Sequence, residues 1–427
     1  MIQLNILFVS IDGLISGIAY KAVQEGHNIK FHIIDSKFSD IADGFVPKSD
    51  NWKKDVKWAD LIVFDDIGYA KEVKRLKKQK KLVIGGTKYT DKLEADRTFG
   101  QEELKKAGIS IALFKEFRSF QEAIKFVESN PKRYVIKPSG DAQNTKHFIF
   151  VGKEKSGQDV VEVLKTYQKK YSKTIKVFQL QERIIGVEVA VGAFFNGQKF
   201  IRPININFEN KPMFPGNVGL MTGETGTSMY WSKDNKFFRA TLSKMEKVLK
   251  KEKYIGYIDL NCIVNKDGIY PLEFTARFGY PCIFIQAAGI EMPISEFFYK
   301  LASGKLKKFK TKKGLQIGVR VFVPPYPLKN KKIFEAFGKN KTILFKKRNF
   351  KGLYIEEVKL VNNNWTVAGA AGVVLVAVAT GKALNKVQKR LYSRIKNIML
   401  PNSYYRNDIG NDYYEKLNKC KKWGYLN

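Results

Sequence analysis

Residues 254–279 read YIGYIDLNCIVNKDGIYPLEFTARFG and alternate polar with apolar side chains on both sides of a Lys-Asp-Gly turn. This pattern predicts a β-hairpin whose loop has three residues and ends in glycine. Such a loop would place Asp259 opposite Thr275 and Asn261 opposite Glu273.

The two faces of this hairpin differ in chemistry. One face would carry two carboxylates, two neutral oxygen ligands and a guanidinium, supplied by Asp259, Asn261, Glu273, Thr275 and Arg277. The other face, which includes Leu272, would be apolar. Mg²⁺ prefers oxygen ligands and is commonly held by one or two carboxylates together with substrate phosphates. The polar face therefore predicts a magnesium–phosphate site, and a solvated hairpin face with a chance ion pair is the alternative.

Composition narrows the class of protein. The chain has 427 residues, enough for two or three domains, and its formal net charge is +35. The excess is mainly lysine and is spread along the whole sequence, so a lysine-rich solvated surface is favoured over nucleic-acid binding, which stays possible. The few cysteines show neither disulfide nor zinc spacing. We expect a cytoplasmic protein, monomeric or homodimeric, with no membrane partner, because the apolar run 367–379 is too short to span a bilayer.

The first ninety or so residues alternate strands and helices. Strand patterns at residues 5–10, 29–34, 61–64 and 82–84 predict a parallel sheet. The turn at residues 10–17 opens a helix, and its backbone N–H groups could hold a phosphate. An ordinary strand–helix turn is the simpler interpretation of that segment.

Two other segments could meet phosphate groups. The predicted strand at residues 134–138 carries Lys137 and precedes a loop of small residues, 139–146. Residues 216–227 are rich in glycine and threonine and predict a second loop, whose amides and hydroxyls could line an anion site. A surface lysine and a flexible surface loop are the alternatives.

At this point the order of features resembles the ATP-grasp ligases, and within them the glycinamide ribonucleotide synthetase (phosphoribosylamine–glycine ligase) family. Residues 135–137 resemble the family's VIK strand, and residues 219–226 keep the G-x-x-T-G-x-x-G of its GPNTGGMG loop. Residues 254–256 with 272–279 resemble its YxG…EFNxRFG pair, and residues 404–410 resemble its RxDIG signature.

The resemblance implies a multidomain α/β and α+β fold. It comprises an N-terminal parallel-sheet αβ domain (1–92), an ATP-grasp core (93–310) with a lid (about 110–185), and a small C-terminal mixed α/β domain (311–427). The implied reaction joins a carboxylate to an amine through an acyl phosphate formed from ATP. The first substrate pair to consider is phosphoribosylamine and glycine, in purine biosynthesis.

The resemblance also implies roles for individual residues, with ATP and Mg²⁺ (or Mn²⁺) as cofactors. Lys137 would contact the α- and β-phosphates as a catalytic and nucleotide-binding residue. Glu182 would lie beside the adenine and Glu188 beside the ribose. Thr222 and Gly223 would complete the nucleotide- and substrate-binding part of the site.

The implied metal-binding residues and the second implied catalytic residue come from the hairpin. Glu273 would bind the metal, with Asp259 or Asn261 as a second oxygen ligand. Thr275 stands where the family has its metal-ligating asparagine. Arg277 would meet the γ-phosphate or the acyl phosphate as a catalytic residue.

Other departures concern the substrate side. Tyr280-Pro281-Cys282 replaces the family's D-P-E, and the family's N-terminal GNGGREH turn becomes residues 10–16, which lack arginine and histidine. ATP-dependent ligation is thus better supported than the exact substrates. A paralogous ligase that joins an amino acid to another amine, such as a nucleotide or peptide, is the first alternative. A nucleotide- or nucleic-acid-binding protein with weak or no catalysis is the second.

Overall fold

The computed structural model describes residues 3–139, 142, 145 and 148–427. Most of the predicted small-residue loop at 139–146 lies outside the described residues. The first part of the chain alternates strands and helices as predicted: β1 (Asn5–Ser10), α1 (Ser16–Gln24), β2 (Asn28–Ile33), α2 (Trp52–Asp55), β3 (Leu61–Phe64), α3 (Ala70–Lys78) and β4 (Leu82–Ile84). The four strands pair in parallel in the order β2-β1-β3-β4.

The next two helices are α4 (Lys88–Ala95) and α5 (Arg97–Lys106). The sequence pattern of residues 93–107 predicts one continuous helix, and this prediction is wrong because the helix is interrupted at Asp96. Asp96 adopts an extended conformation, and its carboxylate accepts a hydrogen bond from the backbone N–H of Phe99 at 3.0 Å. Asp96 therefore ends one helix and caps the next.

A small antiparallel sheet with its own core follows. It contains β5 (Phe114–Phe117), α6 (Phe120–Ser129), β6 (Tyr134–Pro138), β7 (Phe150–Val151), α7 (Gln158–Tyr171) and β8 (Phe178–Glu182). The strand order is β5-β8-β6-β7. Buried side chains from this segment, among them Phe120, Leu164 and Phe178, form a hydrophobic cluster separate from the main core. This segment falls within residues 110–185, the approximate range predicted for the lid, and its role as a lid remains a prediction.

The middle of the chain supplies long strands. Its elements are β9 (Val187–Asn196), β10 (Ile204–Phe214), β11 (Val218–Ser232), α8 (Lys236–Ala240), α9 (Glu246–Lys251), β12 (Ile255–Asn265), β13 (Gly268–Thr275), α10 (Cys282–Gly289) and α11 (Ile294–Ala302). The predicted loop at residues 216–227 is instead mostly strand, because β11 pairs with β10 from Ile204↔Ser232 to Phe214↔Val218. Backbone pairing along β10 thus overrides the low strand propensity of glycine.

The last part of the chain is mixed. Its elements are β14 (Leu315–Phe322), α12 (Lys331–Phe337), β15 (Thr342–Phe345), β16 (Leu353–Ile355), β17 (Val358–Val361), β18 (Asn364–Val367), β19 (Val373–Gly381), α13 (Leu384–Lys396), β20 (Ile398–Met399) and α14 (Tyr413–Lys422). Four short strands form a sheet in the order β17-β18-β15-β20.

The central sheet has eight strands in the order β13-β12-β9-β10-β11-β14-β19-β16. The first five strands of this order precede residue 310 in sequence, and the last three follow it. Because β11 pairs with β14, hydrogen bonding continues across the predicted domain boundary at residue 310. The three predicted domain ranges remain predictions. Among the described residues, no helix is long and apolar enough to cross a membrane.

Candidate functional site

A cavity of about 510 Å³ opens between the small sheet, the central sheet and the N-terminal part of the chain. Nine of the ten predicted site residues line it: Lys137, Glu182, Glu188, Thr222, Gly223, Asp259, Glu273, Thr275 and Arg277. The tenth, Asn261, reaches the site through its side-chain amide, which donates to Glu188 Oε1 at 2.9 Å and to Glu209 Oε2 at 3.2 Å.

The polar hairpin face has the predicted pairing, although the predicted loop is wrong. Asp259 pairs with Thr275 and Asn261 with Glu273. The loop has two residues rather than three, since Asn265 already pairs with Gly268. A β-bulge beside Asn261 inserts the compensating residue and restores the register.

The same bulge changes the position of one apolar residue. Leu272 was expected on the apolar face, but it is half-buried and lines the cavity next to Glu273. The expected alternation fails here because a bulge places two residues opposite one on the partner strand.

Lys211, in β10, lies among three carboxylates of the cavity. Its Nζ is 2.9 Å from Glu188 Oε1, 3.4 Å from Glu273 Oε1 and 3.5 Å from Glu209 Oε2. Burial alone would lower the pKa of Lys211, but these carboxylates raise it well above its ordinary value. Lys211 therefore carries a fixed positive charge. Lys211 and Glu209 belong to none of the motifs described above, although charged residues two apart in an apolar strand indicate a shared polar face.

Two buried oxygen atoms beside this cluster indicate that the residues present could bind a metal ion. Asp259 Oδ1 and Asn261 Oδ1 are buried and have no hydrogen-bond partner in the described part of the chain. With Glu273, they form the oxygen donor set that suits Mg²⁺. No group of three or more His, Cys, Asp or Glu side chains among the described residues could hold a metal ion alone. Ligands from a substrate phosphate would be needed to complete such a site.

Two further basic side chains, Lys137 and Arg97, line the same cavity. Lys137 lies near the end of β6, is buried, and pairs through its backbone with Gln179 of β8. Burial, assisted by the positive charge of Arg97, lowers the pKa of Lys137 to about 7. Arg97 is also buried, and its Nε has no partner within the described ranges. Both cations are positioned to gain from an anionic ligand.

Arg277 forms ion pairs with two acidic residues that belong to none of the sequence motifs. Its Nε lies 3.2 Å from Glu94 Oε1 and 3.4 Å from Asp66 Oδ1. Burial would lower the pKa of Arg277, but Glu94 and Asp66 raise it. The guanidinium thus stays charged and fixed beside Glu273 and Thr275 on the cavity wall.

The remaining predicted residues lie around the cavity mouth and floor. Glu182 is partly exposed and pairs with Lys132 at 3.3 Å. Thr222 donates its hydroxyl to the backbone oxygen of Lys211 at 2.7 Å, which anchors this part of β11. A side chain at Gly223 would meet open space, so its backbone is accessible to a ligand.

Comparisons with known proteins show which sequences and folds this chain is similar to. Residues 95–282 match the family described as phosphoribosylglycinamide synthetase, ATP-grasp (A) domain. A phosphoribosylamine–glycine ligase from Fusobacterium nucleatum is 26% identical over 348 residues, which are 78% of each chain. A phosphoribosylamine–glycine ligase from Streptococcus pneumoniae is 25% identical over 336 residues, which are 77% of each chain.

Solved structures show the same fold. The crystal structure of phosphoribosylamine–glycine ligase from Thermotoga maritima has a TM-score of 0.71 at 19% identity, covering 95% of this chain and 100% of the other. A biotin carboxylase complex from Campylobacter jejuni has a TM-score of 0.66 at 12% identity, covering 99% and 98%.

Proposed function

We propose that this chain is an ATP-dependent ligase of the ATP-grasp superfamily, which joins a carboxylate to an amine. The observation that carries the proposal is the convergence of Lys137, Glu273 and Arg277 on one cavity. Lys137 comes from the small sheet, whereas Glu273 and Arg277 come from the hairpin, much further along the chain. They bring two cations and a carboxylate to a space large enough for a nucleotide.

The residues suit phosphoryl transfer, which depends on positioning and charge stabilisation rather than on covalent chemistry by the protein. Lys137 would hold the inner phosphates, and Arg277 would stabilise the oxygens of the transferred group. Glu273, with Asp259 and Asn261, would hold Mg²⁺. When bound, this ion offsets the charge that develops during transfer.

The proposed reaction has two steps. A carboxylate oxygen of the first substrate attacks the γ-phosphorus of ATP, and the bond to the bridging oxygen breaks to release ADP. The nitrogen of a neutral amine then attacks the carbonyl carbon of the acyl phosphate. The carbon–oxygen bond breaks, phosphate leaves with the electron pair, and the nitrogen loses a proton. Holding both substrates in one cavity removes much of the entropic cost of these steps.

Phosphoribosylamine and glycine are the reference substrates, because curated relatives carry the name of that ligase. One observation favours a different amine as a second candidate. The turn after β1, residues 10–16, contains no arginine, lysine or histidine and has an aspartate at position 12. A phosphate-bearing substrate gains less from such a turn than from a basic one.

The proposal is tested with a carboxylate substrate whose carboxyl oxygens carry a heavy isotope. Glycine with phosphoribosylamine is the first pair, followed by a panel of other amines. Attack of the carboxylate on ATP transfers one labelled oxygen to the phosphate that is released, so mass spectrometry of phosphate reports the intermediate. We expect labelled phosphate in amounts equal to the ADP formed. ADP formation with unlabelled phosphate would contradict ligation through an acyl phosphate.

A further inference from the structure

Three aspartates lie at the carboxyl ends of the N-terminal parallel strands. Asp12 follows β1 by two residues, and Asp65 and Asp66 directly follow β3. The sheet order places β2 and β3 on opposite sides of β1, so the direction of strand addition reverses between β1 and β3. Ligands of open parallel sheets bind at such a point, outside the carboxyl ends of the strands.

This part of the sheet is connected to the cavity. Tyr280 lines the cavity and donates its hydroxyl to Asp65 Oδ2 at 3.1 Å, and Ser10 Oγ donates to the same oxygen at 2.7 Å. Arg277 lines the cavity and contacts Asp66. The aspartates therefore contact two residues that line the cavity, and a molecule held by them would lie beside the proposed site of chemistry.

Two polar atoms here lack the partners that buried groups normally have. Asp65 is only 1% exposed, and its Oδ1 accepts no hydrogen bond from the described residues. Tyr69 is 7% exposed, and its hydroxyl likewise has no partner there. Burial raises the pKa of Tyr69, and the negative charges of Asp65, Asp66 and Asp12 raise it further. An unpartnered buried acceptor is costly, and a bound donor would remove that cost.

We call Asp12, Asp65, Asp66 and Tyr69 the aspartate recess. Arg277 contacts this recess through Asp66, but its single positive charge is shared between Asp66 and Glu94. Asp12 and Asp65 add further carboxyl groups; burial raises the pKa of both, and a cation bound beside them would favour their charged forms. The recess is therefore acidic, in a chain whose net charge is +35. A local field of this sign repels a phosphate and attracts an ammonium group.

We propose that the aspartate recess binds the ammonium group of an acceptor that carries a second amino group. Resting on the proposed ligase function, this inference makes the acceptor a diamine or polyamine rather than a phosphorylated sugar amine. The ammonium would donate hydrogen bonds to the carboxylates of Asp12 and Asp66, to Asp65 Oδ1 and to the Tyr69 oxygen. The distal, neutral amino group would then attack the acyl phosphate beside Arg277, by the second step given above.

The experiment is isothermal titration calorimetry on the whole protein, in the absence and presence of MgADP. The probes are putrescine, aminobutanol and ribose phosphate. Aminobutanol matches putrescine in length but has a hydroxyl in place of the second ammonium, and ribose phosphate represents the acidic part of phosphoribosylamine. We expect putrescine to bind about tenfold to a hundredfold more tightly than aminobutanol, and ribose phosphate not to bind.

Matched variants locate the binding. Asp12→Asn, at a half-buried position, should weaken putrescine binding about tenfold. Tyr69→Phe should weaken it less. The control, Asp267→Asn, removes an exposed aspartate from the tip of the hairpin and should leave binding unchanged. Circular dichroism confirms that each variant is folded.

Three results would overturn the inference: equal affinity for putrescine and aminobutanol, preference for ribose phosphate, or unchanged putrescine binding in both recess variants. A titration of the free protein with Mg²⁺ alone adds a fourth, since binding that Asp12→Asn abolishes would make the recess a metal site. MgATP is titrated in parallel. If MgATP binds and putrescine does not, only this inference fails. If MgATP does not bind, the proposed function fails and the acceptor role fails with it.

Discussion

Lys211 organises the charges of the cavity. Its ammonium group, close to Glu188, Glu209 and Glu273, prevents three neighbouring carboxylates from repelling one another. Lys211 already neutralises part of the charge of these carboxylates. We therefore expect Mg²⁺ to take its carboxylate ligands mainly from Glu273 and Asp259.

Glu273 is the residue whose loss should affect turnover most. Glu273→Ala removes the proposed metal ligand and should lower the rate of ATP-dependent ligation by about a thousandfold. The side chain is partly exposed, so the thermal unfolding temperature should change little. Asp267→Ala, in the same hairpin but at its exposed tip, is the control. A Glu273→Ala enzyme with normal turnover would refute the metal assignment.

The lowered pKa of Lys137 leads us to expect proton uptake when ATP binds. Its pKa is lowered to about 7 from 10.5, so most of this amine is neutral above about pH 7 in the ligand-free protein. The phosphate groups of ATP favour the charged form of Lys137, so ATP binding should raise the pKa of this amine. Lys137 should then take up a proton at pH values between about 7 and 10.5.

Calorimetry at pH 8.5, repeated in buffers of different ionisation enthalpy, measures that uptake directly. We expect about one proton per ATP for the wild type and close to zero for Lys137→Met. Lys165→Met, which alters an exposed helix lysine, should behave as the wild type. Uptake that persists in Lys137→Met would show that another group titrates.

At the scale of single elements, the hairpin shows how far the sequence could predict the site. Alternation gave the pairing of Asp259 with Thr275 because a buried face enforces register. The same reasoning could not reveal the bulge, since the extra residue, Leu272, is itself apolar. A two-residue loop plus a bulge and a three-residue loop without one lead to the same pairing at the polar end.

Elements whose conformation depends on distant partners were predicted less well. The glycines and threonines of residues 216–227 predict a loop, and only pairing with β10 and β14 makes them a strand. Glu94 and Asp66 escaped detection for a similar reason. They lie far from Arg277 in sequence, and no local pattern indicates that they contact it.

A buried ion pair links strands of the C-terminal part of the chain. Arg320 of β14 and Glu356, just after β16, have side-chain exposures of 6% and 0%. Arg320 Nε donates to Glu356 Oε2 at 3.1 Å, and Nη2 donates to Oε1 at 2.5 Å. Glu356→Ala would leave an unpaired buried guanidinium, which should lower the free energy of unfolding by about 3–5 kcal/mol.

Urea denaturation measures this loss. The double variant Arg320→Met/Glu356→Leu removes both charges and should recover most of the stability. Glu335→Ala, which breaks an exposed pair with Lys331 at 3.6 Å, is the control and should change stability by less than about 1 kcal/mol. A small effect of Glu356→Ala would mean that water or another residue compensates Arg320.

At the scale of the whole molecule, the surface and the cavity differ in charge. The net charge of +35 comes from lysines dispersed along the chain, whereas the carboxylates discussed above converge inside. We expect duplex DNA to be retained at low salt and released by about 200 mM salt, because dispersed lysines act through counterion release. Retention measured against salt concentration tests this. Tight, sequence-dependent retention at physiological salt would instead favour a nucleic-acid-binding protein.

The most direct test of the central claim is the affinity for ATP measured by calorimetry with Mg²⁺ and with a chelator. Mg²⁺ should tighten ATP binding by about tenfold or more, because Glu273, Asp259 and Asn261 would hold the ion against the phosphates. Equal affinity under the two conditions, or no binding in either, would contradict it.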